Sequence, residues 1–445
     1  MAAGTTTVPR STHWWRALAR RAWEGLRLRD AALLSLAPLV AVGYLVASSV
    51  EMYRRGRDFQ DWFSAGISVP QAFRDGMHAA LRMPGAVALG QRFSPSARDA
   101  GIIRLGVGGS GWDSVLATDK VAWDAWTDGT LDYGESTSPI RVRKRGDFSV
   151  HWLTDKRSLT VRTPRDQFYK TFRSFGLSAK TPIESFVANR LAASFGLLVP
   201  RTEVVPVFLN NRFYGMYRLV EPVDESFLRP LDRMPGNIFR GDRAARGEYF
   251  KGQNRNLFAN PYIWDRAAVS DRPTGAGAGQ LRLLLDDLAG GSFEAAQRMM
   301  ARFDADEIAR LMTFLFVVGD PQHMDGVHNQ LLYEDPSTQL LHPIPWDIRL
   351  RPIDAPDVRF SDLMKGWLRN PFVVDAINRQ LADAVREGAL RRVVDSLATG
   401  VERRYADYFD YDRRRAGLIP DVGTAAGAIA VVDRNLAIIR GWLVN

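Results

Sequence analysis

Two kinds of apolar pattern occupy different parts of this chain of 445 residues. Short apolar runs broken by glycines and charges, which are typical of β-strands, occur between about residues 101 and 220. Longer stretches with apolar residues at helical spacing dominate after about residue 280. Strands followed by helices predict an α+β fold with two lobes, a mixed β N-lobe and a helical C-lobe.

The predicted strands are residues 102–105, 140–142, 158–161, 204–209 and 217–220. One helix, residues 183–195, interrupts them and ends at Gly196. Asn210 and Asn211 predict a hairpin turn between the last two strands. The later predicted helices are residues 278–288, 293–302, 306–318, 372–397 and 424–443.

Residues 31–50 contain no charged side chain. A helix of about 20 residues spans a hydrocarbon core of about 30 Å, so this run predicts one transmembrane helix. It follows a basic N-terminal segment, residues 1–30. The alternatives are a buried helix of a folded domain and a cleaved signal peptide, although no small-residue cleavage site follows the run.

The arginines around this run predict the topology. Six precede it and three follow it closely, so the positive-inside rule places the N-terminus in the cytoplasm. The prediction is a single-pass protein of a bacterial-type inner membrane with its folded domain extracytoplasmic. That domain is predicted as a juxtamembrane linker (51–98), a β-rich N-lobe (99–225) and a helical C-lobe (226–445).

Charge and cysteine content exclude several classes of function. The net charge is +9, and most of it lies in the first 57 residues, which carry nine arginines against three acids. The remainder has no basic run interleaved with aromatic residues, so no nucleic-acid partner is predicted. The absence of cysteine excludes disulfides, thiolate nucleophiles and cysteine-ligated metal sites.

Residues 319–351 carry the pattern most indicative of chemistry. An apolar helix ends in a polar loop that holds Asp325 and Asn329. Two short apolar runs joined by a turn then predict a hairpin, which returns Asp347 to the end of the sheet where Asn329 lies. One amide oxygen and nearby carboxylates form a hard-oxygen site suited to magnesium carrying a polyphosphate.

Less specific interpretations of the same residues remain open. Asp325 and Asp347 can cap turns and pair with Arg349 or Arg351. A metal-dependent hydrolase is a further alternative, because three histidines lie among these carboxylates, although their spacing matches no standard zinc pattern. These histidines are His323, His328 and His342.

These motifs resemble the CotH kinase family of atypical, protein-kinase-like phosphotransferases. The family's hallmark is an aspartate shortly before His-Asn, a hairpin, and then Pro-Trp-Asp, as at residues 345–347. Three upstream segments resemble further family motifs in the same order. They are RVRKRGD (141–147), DKRS (155–158) and LNNRFYGMYRLVEPVD (209–224). The resemblance spans about residues 100–370.

The resemblance implies roles for four residues. Asp325 is the catalytic-loop aspartate, which orients or deprotonates the acceptor hydroxyl. Asn329 and Asp347 bind Mg²⁺ or Mn²⁺, and Lys156 grips the α- and β-phosphates of ATP.

The resemblance also suggests a role for Glu221, and position along the chain suggests roles for Arg143, Arg145 and Glu184. Glu221 follows the last strand near the hinge between the lobes and borders the adenine pocket. Arg143 and Arg145 neutralise phosphate, and Glu184 pairs with Lys156.

The predicted function is a membrane-anchored, ATP-dependent kinase that phosphorylates a protein or a cell-envelope component. The sequence departs from the family at two points. Arg349 stands where a second acid is common, and the spacing from Asp325 to Asn329 is one residue short. The alternative is therefore a pseudokinase that binds nucleotide or a partner without transfer.

Overall fold

The computed structural model describes most of the chain from residue 101 onward. The residues it describes are 36, 38–44, 46–47, 50, 101–110, 125–133, 136–146, 156–241, 257–268, 279–320, 323–324, 326, 328–354, 360–410, 412 and 424–444.

The first half of the described chain forms a closed seven-stranded barrel. Its strands are β1 (Ile103–Val107), β2 (Thr127–Tyr133), β3 (Ser136–Lys144), β4 (Leu159–Arg162), β5 (Ser174–Ser178), β6 (Thr202–Leu209) and β7 (Arg212–Val220). They are arranged in the order β1-β2-β3-β4-β5-β7-β6. Parallel pairing of β6 with β1 closes the barrel, and the other pairs are antiparallel.

Alternate residues of the strands fill the barrel with side chains. In β1, Ile103, Leu105 and Val107 are buried, and they belong to an apolar cluster drawn from the strands and their connecting segments. This period of two is what a pleated strand imposes. The β6–β7 hairpin turns at Asn210 and Asn211, both with positive φ, as the two-residue turn requires. The predicted hairpin is confirmed.

Helix α1 (Pro182–Ser194) connects the barrel to the rest of the protein. It begins with Pro182 in its first turn, where the missing N–H removes no helical hydrogen bond. Its buried Ile183, Val187 and Leu191 share a core with residues of the C-terminal helices. The predicted helix over 183–195 is confirmed, and it packs the barrel against the C-terminal half.

The C-terminal half contains a four-stranded antiparallel sheet and a set of helices. The strands are β8 (Asn237–Gly241), β9 (Trp264–Ala268), β10 (Gln330–Glu334) and β11 (Leu341–Pro343), in the order β11-β10-β8-β9. The helices are α2 (Glu225–Leu228), α3 (Gly279–Gly290), α4 (Phe293–Met300), α5 (Ala305–Val318), α6 (Asp362–Leu368), α7 (Pro371–Val385), α8 (Ala389–Arg404), α9 (Ala406–Asp410) and α10 (Ala425–Val444).

The mixed α+β class is confirmed, with two differences from the sequence prediction. Strands β8 and β9 extend the predicted β10–β11 hairpin into a sheet, within the segment predicted to be helical. The helix predicted over 372–397 is divided between α7 and α8 at Gly388, whose φ of 60° lies outside the helical range. The two-lobed kinase-like arrangement remains a prediction.

Within the residues that the structure describes, no helix combines the length and the apolarity needed to cross a bilayer. This finding contradicts the membrane as a partner and the single-pass localisation that followed from the transmembrane helix predicted over residues 31–50. Crossing requires about 20 residues with almost no charge. Helix α10 has this length but carries Asp433, Arg434 and Arg440. Much of 31–50 lies outside the described residues.

One buried amide joins the last helix to the segment that follows β11. Asn435 of α10 is fully buried. Its Oδ1 accepts a hydrogen bond from the Ile353 backbone N–H at 2.9 Å. Its Nδ2 donates to the backbone oxygens of Val317 at 2.9 Å and Arg351 at 2.8 Å. A single side chain thus connects α10, the end of α5 and the chain beyond Asp347.

We expect Asn435→Ala to lower the free energy of unfolding by about 2–4 kcal/mol, because three backbone groups lose their buried partner. Chemical denaturation measures this change. Arg434→Ala is the matched control, since Arg434 pairs with Asp354 at the surface, and it should cost less than about 1 kcal/mol. Equal losses in the two variants would contradict the role given to Asn435.

Candidate functional site

The β10–β11 hairpin brings Asn329 and Asp347 to the same end of the sheet. Leu332 pairs with Pro343 in the antiparallel register. Extending that register places Asn329 opposite Trp346, the residue before Asp347. Both Asn329 and Asp347 have positive φ, 56° and 51°, which side chains of this short polar type tolerate. The structure therefore places these two predicted residues at the same end of the sheet. Their role as metal ligands stays a prediction.

Buried polar groups fix the backbone on both sides of Asp347. The Trp346 N–H donates to His323 Nε2 at 3.1 Å. His323 Nδ1 in turn lies 2.8 Å from Oδ2 of Asp320, which is fully buried. Because Nε2 accepts, the imidazole carries its proton on Nδ1. The Arg349 N–H also reaches Asp320, at 3.3 Å. The loop that presents Asp347 is held at both ends.

Glu184 of α1 adds a further restraint. Its Oε1 accepts a hydrogen bond from the Leu350 N–H at 2.7 Å, and the residue is only 3% exposed. Burial raises the pKa of the Glu184 carboxyl to about 7, an effect that the Leu350 hydrogen bond and nearby Lys180 oppose. Glu184 therefore positions the Asp347 loop from the barrel side.

Cationic side chains surround the Asp347 carboxylate. Arg218 of β7 donates from Nη2 to Asp347 Oδ1 at 2.9 Å. Arg218 pairs with Ser178 across the β5–β7 ladder, and Lys180 follows two residues later. Burial lowers the pKa of Lys180 to about 8, although the Asp347 carboxylate partly restores it. The site is therefore rich in positive charge around one partly exposed carboxylate.

Of the two predicted arginines, the structure brings Arg145 towards this site. Its guanidinium lies over the Trp346 ring, 5.4 Å from the centroid. It also crosses β5 at Gly176, where a Cβ would overlap with Arg145 Nη1. Arg143 is placed differently, 4.8 Å from the ring centroid of Trp126. Their predicted contact with phosphate is untested.

Lys156 and Glu184 are not brought together. Lys156 Nζ lies 2.9 and 2.8 Å from the two carboxylate oxygens of Asp412, and the side chains are 1% and 3% exposed. The ammonium also lies 5.1 Å from the Tyr217 ring centroid. The predicted Lys156–Glu184 pair is replaced by an ion pair with a residue beyond α9.

Glu221 is engaged in a local ion pair. Its carboxylate accepts hydrogen bonds from Arg201 Nη2 at 2.7 Å and from Arg201 Nε at 3.1 Å. The glutamate is 2% exposed, directly after β7. Its predicted place beside an adenine remains a prediction. Asp325, the predicted catalytic aspartate, lies outside the described residues.

Two of the three histidines have hydrogen-bond partners within the protein. His342 Nδ1 lies 2.6 Å from Glu307, and His323 holds Trp346 as described above. Among the described residues, no three acids or histidines converge as a metal-binding group.

Sequence reasoning missed three residues of the site, Lys180, Arg218 and Asp320, and considered His323 only as a zinc ligand. Arg218 had a signal, because it is the one charge within residues 213–220 of β7, and buried charges are rare unless paired. Lys180 and Asp320 stand at the ends of apolar elements, where a charge is ordinary. Only the packing shows that both face the same loop.

We expect Glu184→Gln to change the pH dependence of stability. The folded-state pKa is above the unfolded value, so between about pH 4.5 and 7 the folded protein retains a proton that the unfolded chain has lost. Wild-type stability should therefore fall as pH rises through this window. The variant should lack this loss, so its stability relative to wild type should rise by about 3 kcal/mol from low to high pH.

Denaturation curves at several pH values measure this difference. Glu225→Gln, at an exposed position, serves as the control and should follow the wild-type profile. Parallel profiles for wild type and Glu184→Gln would show that the Glu184 pKa is not raised.

Comparisons with known proteins show one family model that matches part of the chain. No curated protein matches the chain. A solved structure with some likeness is the toxin–antitoxin complex of HipA, HipB and operator DNA from Shewanella oneidensis MR-1, at 15% identity over 88% of this chain and 85% of that chain. Its TM-score of 0.28 is too low to support an argument.

The family described as CotH kinase protein matches residues 142–350. The matched segment begins in β3, ends just after Arg349, and includes Asn329 and Asp347. It indicates a kinase-like function. The predicted resemblance to the CotH kinase family is confirmed by this match, which covers residues 142–350.

Proposed function

We propose that this protein is a phosphotransferase that moves the γ-phosphoryl group of ATP to a hydroxyl group of a protein. The observation that carries the proposal is the position of Asp347 within the family match. Its carboxylate stands at the end of a hairpin beside Asn329 and accepts a hydrogen bond from Arg218. A carboxylate and an amide oxygen among cations suit a site that manages phosphate charge.

A divalent cation fits the donor set if water and phosphate complete its coordination shell. Asn329 and Asp347 would supply two oxygen ligands, and the structure describes no group of three acids or histidines there. Mg²⁺ commonly takes one or two protein oxygens and completes its shell with water and phosphate. Asn329 and Asp347 would thus hold the ion, which neutralises charge on the nucleotide.

The protein's own residues would align the reactants. Asp325 would accept the proton of the acceptor hydroxyl as the hydroxyl oxygen bonds to the γ-phosphorus. The bond from that phosphorus to the bridging oxygen then breaks, and ADP leaves. Arg145, which lies over Trp346, would neutralise negative charge on the phosphates.

A second candidate function is nucleotide binding without transfer. Two observations favour it. The Lys156 ammonium, assigned by family resemblance to the nucleotide phosphates, is held by Asp412. Arg349 stands in the place of a second acid.

The test uses the full chain with ATP labelled at either the γ- or the α-phosphate, in the presence of Mg²⁺ or Mn²⁺. We expect γ-label, and no α-label, on the protein itself or on a generic acceptor. Asp347→Asn should reduce transfer by about 100-fold or more, because asparagine retains the backbone geometry but loses the charge. Asp354→Asn is the control, since Asp354 pairs with Arg434 at the surface.

Three outcomes would count against phosphoryl transfer. ATP binding without any labelling would support the second candidate. Labelling from the α-phosphate would indicate nucleotidyl transfer. Equal transfer by wild type and Asp347→Asn would show that the Asp347 carboxylate is not needed for transfer.

A further inference from the structure

Two cationic nitrogen atoms at the Asp347 site are buried without a hydrogen-bond acceptor among the described residues. They are Lys180 Nζ and Arg218 Nε. Arg218 also donates from Nη2 to Asp347, so its guanidinium uses one edge and leaves Nε unsatisfied. Buried ammonium and guanidinium nitrogens nearly always have partners, because an unmet donor loses its hydration without compensation.

The two groups are held close together by the barrel. Arg218 pairs with Ser178 in the β5–β7 ladder, and Lys180 is two residues beyond Ser178. The charges that act on Lys180 are those of Asp347, Arg349, Glu184 and Arg218. Lys180 and Arg218 therefore lie around the same carboxylate.

Among the described residues, the carboxylates that act on Lys180 do not balance Lys180 and Arg218. Asp347 is shared with Arg218, and Glu184 accepts from the Leu350 N–H. Burial also keeps Glu184 partly protonated near neutral pH, since its pKa is raised to about 7. Lys180 and Arg218 thus stand against one full negative charge and one partial one.

We propose that Lys180 and Arg218 form the binding site for the phosphate chain of a nucleoside triphosphate, on the solvent-exposed side of Asp347. The Asp347 side chain keeps 23% of its surface exposed, which leaves an approach from that side. Phosphate oxygens would accept from Lys180 Nζ and Arg218 Nε. The identity of the anion as a nucleotide rests on the proposed function.

This assignment differs from the one implied by family resemblance, which gives the phosphates to Lys156. Lys156 has an ion pair with both oxygens of Asp412 and is almost fully buried. An incoming phosphate would have to displace Asp412 to reach it. At Lys180, an incoming phosphate displaces no acceptor among the described residues.

Inorganic triphosphate is the probe, because it carries the phosphate chain without adenine. The full-length protein is titrated calorimetrically with triphosphate and, separately, with adenosine. We expect Lys180→Met to weaken triphosphate binding by about tenfold to a hundredfold and to leave adenosine binding unchanged. Lys365→Met is the matched control, since Lys365 is exposed on α6, and it should bind triphosphate like wild type.

Two further readouts separate ligand binding from a structural role. Removal of an unsatisfied buried charge should leave the Tm of Lys180→Met equal to or above that of wild type. At about pH 9, wild type should take up a proton on binding triphosphate, because the anion raises the pKa of Lys180. This uptake should be absent in Lys180→Met. Arg218→Gln tests the site from the neighbouring strand, with weaker triphosphate binding expected.

The outcomes distinguish this inference from the proposed function. If wild type binds ATP, and wild type and Lys180→Met bind triphosphate equally well, the inference is overturned and the transfer proposal is unaffected. A lower Tm with unchanged binding in Lys180→Met overturns it too. Loss of triphosphate binding in Lys180→Met, together with no transfer by wild type, supports the inference and contradicts the proposed transferase function.

Discussion

The candidate site depends on the buried hydrogen bonds that immobilise the backbone after the β10–β11 hairpin. His323, Asp320, Glu184 and Asn435 each bind a backbone N–H between Trp346 and Ile353. These side chains come from three separate parts of the fold. A loop that lost them would bury unsatisfied N–H groups, so the position of Asp347 is coupled to the packing of α1 and α10.

This rigidity is combined with an electrostatic arrangement that opposes folding. Glu184 is ionised with difficulty, and Lys180 is buried without an acceptor among the described residues. Both features cost free energy in the folded protein, and neither is needed to fill the core. Unfavourable charges retained beside a partly exposed carboxylate are typical of functional sites. Such sites often exchange stability for ligand binding.

Sequence reasoning succeeded where the signal is local. The hairpin from Gln330 to Pro343 is specified by its apolar arms and its turn, so the meeting of Asn329 and Asp347 at its end could be anticipated. The left-handed Gly388 that divides α7 from α8 was missed, because both flanks keep helical periodicity.

The sequence by itself determined the α+β class, helix α1, the β6–β7 and β10–β11 hairpins and the family motifs. These features follow from periodicity, turn residues and short-range order. Only the tertiary structure decided which charges meet. Lys156 pairs with Asp412 across 256 residues, and Glu184 binds Leu350 across 166. Such contacts depend on how barrel, helix and loop pack together, because no local propensity encodes the partner of a buried charge.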